Sequence, residues 1–214
     1  MVYVIVFLFE LIVLFFLSRR VHKVLGKTLH RIIKSKRVSI YVLSVLFFPG
    51  TLVHEMAHFL AALFTGVPVG NMQLVPEIEE DSIRLGSVQI ARTDPVRRFI
   101  VSTAPFFVGT TLILFLTYFS ITNYSHNSYF LIFSSYLIFA ITNTMFISSK
   151  DLEGVWGFLI LAAVLIIVGI LLGVSIDVSI SETSRLAQSA KSSSYYLIFP
   201  IFVDLLLVLG LRKV

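Results

Sequence analysis

The sequence predicts an all-α polytopic membrane protein with about six transmembrane helices and a small β-hairpin between the second and third. Three observations predict it. Of 214 residues, 57% are hydrophobic and 14% charged, and the mean hydropathy is +0.94. A water-soluble domain of this size cannot hide that much apolar surface. The apolar residues also gather into runs of roughly 17–27 residues, enough for a helix to cross about 30 Å of hydrocarbon. Finally, the one sizeable polar segment with strand-like alternation lies between the second and third runs. No repeat or second domain interrupts the chain, so residues 1–214 form a single transmembrane domain.

Residues 1–17 are almost continuously apolar, broken only by Glu10. They lack a basic leader and a small-residue cleavage site, which marks a retained first span rather than a signal peptide. Residues 18–37 carry Arg19, Arg20, Lys23, Lys27, Arg31, Lys34, Lys36 and Arg37 with no acid. Val21, Val24, Leu25, Leu29, Ile32 and Ile33 recur near a helical period there. A short amphipathic helix lying on anionic headgroups is expected, with His22 and His30 solvated on its surface. Wedged between two spans, this basic stretch reads as an orientation signal facing the cytoplasm, not as a nucleic-acid footprint.

The second span, 38–64, contains Pro49-Gly50. That pair implies either a kinked helix or irregular backbone beside a water-filled cavity. In segment 66–98, Met72–Val75 and Leu85–Ile90 alternate as two short strands, separated by the acidic turn Glu77, Glu79, Glu80 and Asp81. A hairpin of this kind can offer an open edge to an extended peptide. Four further apolar runs, 99–119, 129–147, 155–174 and 195–211, are expected to span. Residues 121–128 make a short connection and 175–194 a polar, serine-rich mobile loop.

Within the second span stands His54-Glu55-Met56-Ala57-His58. Residues four apart share a helix face, so the two imidazoles point the same way with Glu55 beside them. This is the geometry of a zinc site: two histidines bind the ion, and the carboxylate takes a proton from the water it activates. Ionisable groups at mid-bilayer cost roughly 2.5–3.5 kcal/mol each even on the lenient scale, so three in five residues need a reason. The chain has no cysteine. That excludes thiolate ligands and leaves histidine and carboxylate donors. A catalytic zinc takes a third protein ligand. His126, Glu10, Asp204, Asp151 and Glu153 all qualify, and spacing alone does not choose among them.

The run His54-Glu55-x-x-His58-Phe59-x-x-Ala62-x-x-x-Gly66-Val67-x-Val69 resembles the metal-binding span of the site-2 protease family of intramembrane zinc metalloproteases. Asn143, followed eight residues later by Asp151, is similar to that family's second signature, and Thr103-Ala104-Pro105 to its small-Gly-Pro element. The resemblance covers roughly residues 38–156. Ala104 stands where glycine is usual, Leu152-Glu153-Gly154 follows the aspartate where glycine follows directly, and the prolines between Asn and Asp are replaced. The resemblance implies that Asp151 is the third zinc ligand, with Glu153 its nearest competitor. It also implies that Asn143 holds the substrate strand or polarises its carbonyl.

The function expected on this basis is hydrolysis of peptide bonds in membrane-embedded substrates, by water activated on Zn²⁺ with Glu55 as general base. Partners would be a transmembrane protein or peptide and the lipid bilayer of the cell membrane. Two rivals use the same residues: a divalent-metal transporter, with donors strung along several spans, and a catalytically silent relative that binds membrane partners. A third is the membrane protease type that trims prenylated proteins and uses a downstream glutamate ligand. Sidedness has two opposed expectations. The basic segment places the motif's half of the second span outside, whereas the family resemblance implies a metal nearer the cytoplasm.

Overall fold

Backbone polar groups in a long apolar run are satisfied locally only as a helix, and the chain folds accordingly. The structure is a computed structural model that describes residues 2–78, 83–84, 86–124, 127–146, 151, 164 and 180–211. Its elements are α1 (Val2–Ile33), α2 (Lys36–Phe64), β1 (Val69–Gln73), β2 (Glu77–Ile78), β3 (Ile83–Arg84), β4 (Ser87–Ile90), α3 (Pro95–Tyr124), α4 (Ser128–Thr144) and α5 (Ile180–Leu211). The fold is therefore mainly helical with a small antiparallel β-element. Both α2 and α3 are long and apolar enough to cross a membrane, while α4 and the Leu197–Leu211 part of α5 are shorter apolar helices.

Several boundaries differ from expectation. The first span and the basic segment are one continuous helix, because no glycine-proline break or acidic cap separates them and Leu17, Ser18 and Val21 are all buried. His22 is not solvated. Its ring stacks on Phe47 at 4.3 Å, and its Nδ1–H donates to the Ser18 carbonyl at 2.9 Å. Lys34, at φ 56, turns the chain, and the Ser35 side chain caps α2. The serine-rich stretch expected as a loop is helical from Ile180 onward. It holds no glycine or proline before Pro200, so a helix nucleated by the packed C-terminal half propagates through it. The expected span 155–174 lies outside the described residues apart from Val164.

The hairpin is one interrupted ladder. β1 pairs with β4 and β2 with β3, both antiparallel, with a register irregularity between Val69 and Met72. Pairing begins at Val69, earlier than the alternation suggested, and Glu77 belongs to a strand rather than the turn. At the hairpin's exit, Asp94 caps α3: its Oδ1 accepts from the amides of Val96 and Arg97 at 3.1 and 3.0 Å. These amide bonds hold the exposed Asp94 carboxyl below the usual carboxylate range.

Helix directions follow from paired residues. Along α2 and α4, Leu46 meets Tyr136, Phe47 meets Phe139, and Gly50 meets Ala140, so the two helices run the same way. Against them, Phe15 meets Phe146 and His22 meets Phe47, so α1 runs opposite. Leu197 packs in a cluster with Leu11 and Leu14, and Val208 in one with Leu17, Val21, Leu43 and Phe47, so α5 runs with α1. Strict alternation of six spans would put the last helix antiparallel to the first. Instead, the chain leaves α4 and enters α5 on the same side, the side that also carries the hairpin.

Pro49 sits inside α2 without ending it. Gly50 beside it explains the close approach of α4, since a Cβ there would fall onto the Ala140 carbonyl and the Thr144 hydroxyl. Overpacking of this kind costs about 1–3 kcal/mol. Gly50→Val should therefore lower the detergent-solubilised protein's unfolding midpoint by several degrees, measured by dye-monitored thermal denaturation, whereas Gly26→Ala, at an open helical position, should not lower it and should raise it slightly.

Candidate metal centre

The C-terminal half of α2 builds the site. One helical turn separates His54 from His58, and their Nε2 atoms stand 3.2 Å apart with rings nearly perpendicular at 79°. Asp151, eight residues beyond Asn143 near the end of α4, brings its carboxylate between them. Its Oδ1 lies 3.6 Å from His58 Nε2, and its Oδ2 lies 4.0 Å from His54 Nε2. All three side chains offer donor atoms within 4.8 Å of one another.

These separations can be tested against an ion. Ligands about 2.0–2.1 Å from a tetrahedral zinc stand about 3.3–3.4 Å from each other. The observed 3.2, 3.6 and 4.0 Å bracket that value. Tautomers agree as well. His58 Nδ1 lies 2.8 Å from the Val101 carbonyl, which can only accept, so the ring proton is on Nδ1 and Nε2 keeps its lone pair. His54 Nδ1 is buried without a hydrogen bond of good geometry, although its ring interacts with the Thr144 backbone. The donor set of two imidazoles and one carboxylate fits zinc.

Glu55 is 7% exposed and close enough to His58 and Asp151 to interact electrostatically with both. The hairpin lies directly over it. A Cβ on Gly86 would come within 2.8 Å of Thr51 Cγ2 and 3.2 Å of Glu55 Oε1, so only glycine lets the backbone pass here. The alternation of Leu-Gly-Ser-Val-Gln-Ile held a signal for this contact, because glycine inside a strand marks close backbone approach. The Val101 carbonyl left no sequence signal at all, since it is a main-chain group delivered by α3. Past the site, Gly66 at φ 71 closes α2, with the Val67 amide donating to Ala62 O at 2.8 Å.

The structure thus brings together His54, His58 and Asp151, with Glu55 adjacent. Of the other carboxylates considered as ligands, Glu10 and Asp204 are not in the donor group, and Glu153 lies outside the described residues, as does His126. Asn143 is buried, and its Nδ2 donates to the Phe139 carbonyl and to Asp204 Oδ1, both at 3.0 Å. Its described polar contacts are within α4 and to α5, not to the donor group.

Purified wild-type protein should bind one zinc. Asp151→Asn should weaken that binding by more than ~10-fold, and His58→Ala by more again, in competition with a chromophoric chelator. Unchanged affinity in Asp151→Asn would move the third ligand to Glu153. Compared with models of protein families, with curated proteins and with solved structures, the chain matches none.

Proposed function

We propose that this chain is an intramembrane zinc metallopeptidase, a hydrolase cutting membrane-embedded peptide segments. The observation that carries the reading is the convergence of two imidazole nitrogens and one carboxylate, drawn from positions almost a hundred residues apart in sequence, beside a buried glutamate. A bound Zn²⁺ supplies Lewis acidity, acidifying a water and polarising a carbonyl. His54, His58 and Asp151 would hold it, and the Val101 carbonyl fixes the His58 ring. Glu55 takes the proton of the attacking water and passes it to the leaving amine. Its burial under the Gly86 backbone keeps bulk water from solvating the carboxylate.

The hairpin supports a substrate path. Among the described residues β4 pairs with β1 alone, so its other edge is free beside the site. An extended peptide could add there as a strand, which exposes the carbonyls that a helix would hide. A divalent-metal transporter fits less well, because among the described residues the donors form one group rather than a ladder across the helices.

The membrane reading rests on α2 and α3 and on the large apolar side chains turned outward along the bundle. Ile5, Phe9, Ile12 and Phe16 of α1, Val45 and Leu63 of α2, and Phe107 and Phe115 of α3 are examples. The parallel course of α1 and α5 brings the basic α1–α2 turn and the Leu211 end of α5 to one side, opposite the hairpin. That basic side faces the cytoplasm by the positive-inside rule, which puts the metal centre in the outer half of the membrane.

Two experiments test this reading. Glu55→Gln should retain zinc yet reduce cleavage of a co-expressed transmembrane substrate by at least ~100-fold, read by immunoblot. Retained cleavage would remove Glu55 from the chemistry. Because the chain has no native cysteine, single cysteines can report sidedness. Cysteines at Lys34 and Gly210 should be labelled by an impermeant maleimide only from the cytoplasmic face, and one at Asn71 only from the other.

A further inference from the structure

The metal chemistry makes no use of Asp204, yet it is the most deeply buried acid among the described residues, at 0% exposure near the middle of α5's apolar half. Its Oδ1 accepts from Asn143 Nδ2 at 3.0 Å. The second hydrogen of that amide is engaged by the Phe139 carbonyl at 3.0 Å, which fixes the amide's orientation. Two atoms of the pair are then left over. Asn143 Oδ1 and Asp204 Oδ2 are both buried without a hydrogen-bond partner.

Both leftover atoms are acceptors if Asp204 is ionised, so neither can satisfy the other. Among the described residues no cation forms an ion pair with Asp204. Arg19 on α1 lies over the Phe15 ring at 4.3 Å, and His22 turns to Ser18 and Phe47. The described part of α4 has no charged residue, and the arginines of α3, Arg97 and Arg98, lie in its first turn. Among the described residues, Asn143 is the side chain hydrogen-bonded to Asp204. A single proton on Oδ2 would let the acid donate to Asn143 Oδ1 while its Oδ1 accepts from Nδ2, so that both unpartnered atoms are met at once.

We infer that Asp204 is a neutral carboxylic acid that closes a two-bond acid–amide ring with Asn143, pinning α5 to the end of α4 that leads into Asp151. Asp204 is thus a positioning residue for the third ligand. In this ring every polar atom of the Asn143 side chain is engaged, so Asn143 serves the bundle rather than the substrate. The ring itself stands without the protease reading, whereas the positioning of Asp151 rests on the proposed metal site.

The test uses the full-length protein in lipid nanodiscs. Infrared difference spectra of wild type against Asp204→Asn should show loss of a protonated-carboxyl band that Asn143→Leu shifts; loss of a carboxylate band instead overturns the proposal. Asparagine at 204 can also donate one bond and accept one, so Asp204→Asn should keep zinc affinity within about twofold and the unfolding midpoint within a few degrees. Asp204→Leu should lower the midpoint by on the order of 5 °C and weaken zinc binding, because Asn143 is left unpaired. The double variant Asn143→Leu, Asp204→Leu should recover part of that midpoint, since no polar group is then stranded. A double variant no more stable than the single, or Asp204→Asn as damaged as Asp204→Leu, contradicts the ring.

Discussion

Two imidazole nitrogens 3.2 Å apart, one of them with its lone pair fixed by the proton on the ring's other side, face one carboxylate at the end of α2. In the proposed reading a divalent cation would meet all three donors together. Much of the surrounding fold acts to hold this arrangement in an apolar setting. One turn of α2 sets the histidines, α3 delivers the Val101 carbonyl, and α4 leads to the carboxylate.

Small residues let these parts approach closely enough. At Gly50 the α4 backbone and Thr144 come against α2, which settles the height of α4 and of the acid that follows it. At Gly86 the hairpin is laid over Thr51 and Glu55. Interfaces between helices in lipid are built in this way, through packing and hydrogen bonds rather than a hydrophobic driving force. The Asn143–Asp204 contact is the polar counterpart of the same principle. It joins two helices far apart in sequence where an unpaired group would be expensive.

Much of the site was legible in the sequence because helix pitch alone determines where His54, Glu55 and His58 stand. Asp151 was legible only through its spacing from Asn143, a resemblance rather than a geometric necessity. What the sequence could not carry were contacts made by main-chain atoms, such as the Val101 carbonyl, and those made by an absent side chain, as at Gly86. The fold was readable where apolar runs set helix length. It was misread where composition competed with continuity. The basic half of α1 and the serine-rich start of α5 look polar enough to be separate segments, yet each extends a helix whose other half is packed. The direction of α5 depends on which side chains it meets, and no periodicity encodes that.

The central claim is that two imidazoles and one carboxylate surround a single ion. X-ray absorption at the zinc edge of the purified protein tests it most directly. The predicted spectrum has a nitrogen and oxygen shell at about 2.0–2.1 Å, with the outer-shell scattering of two imidazoles and no sulfur. A zinc edge without imidazole scattering, or a folded preparation that binds no zinc, would contradict it.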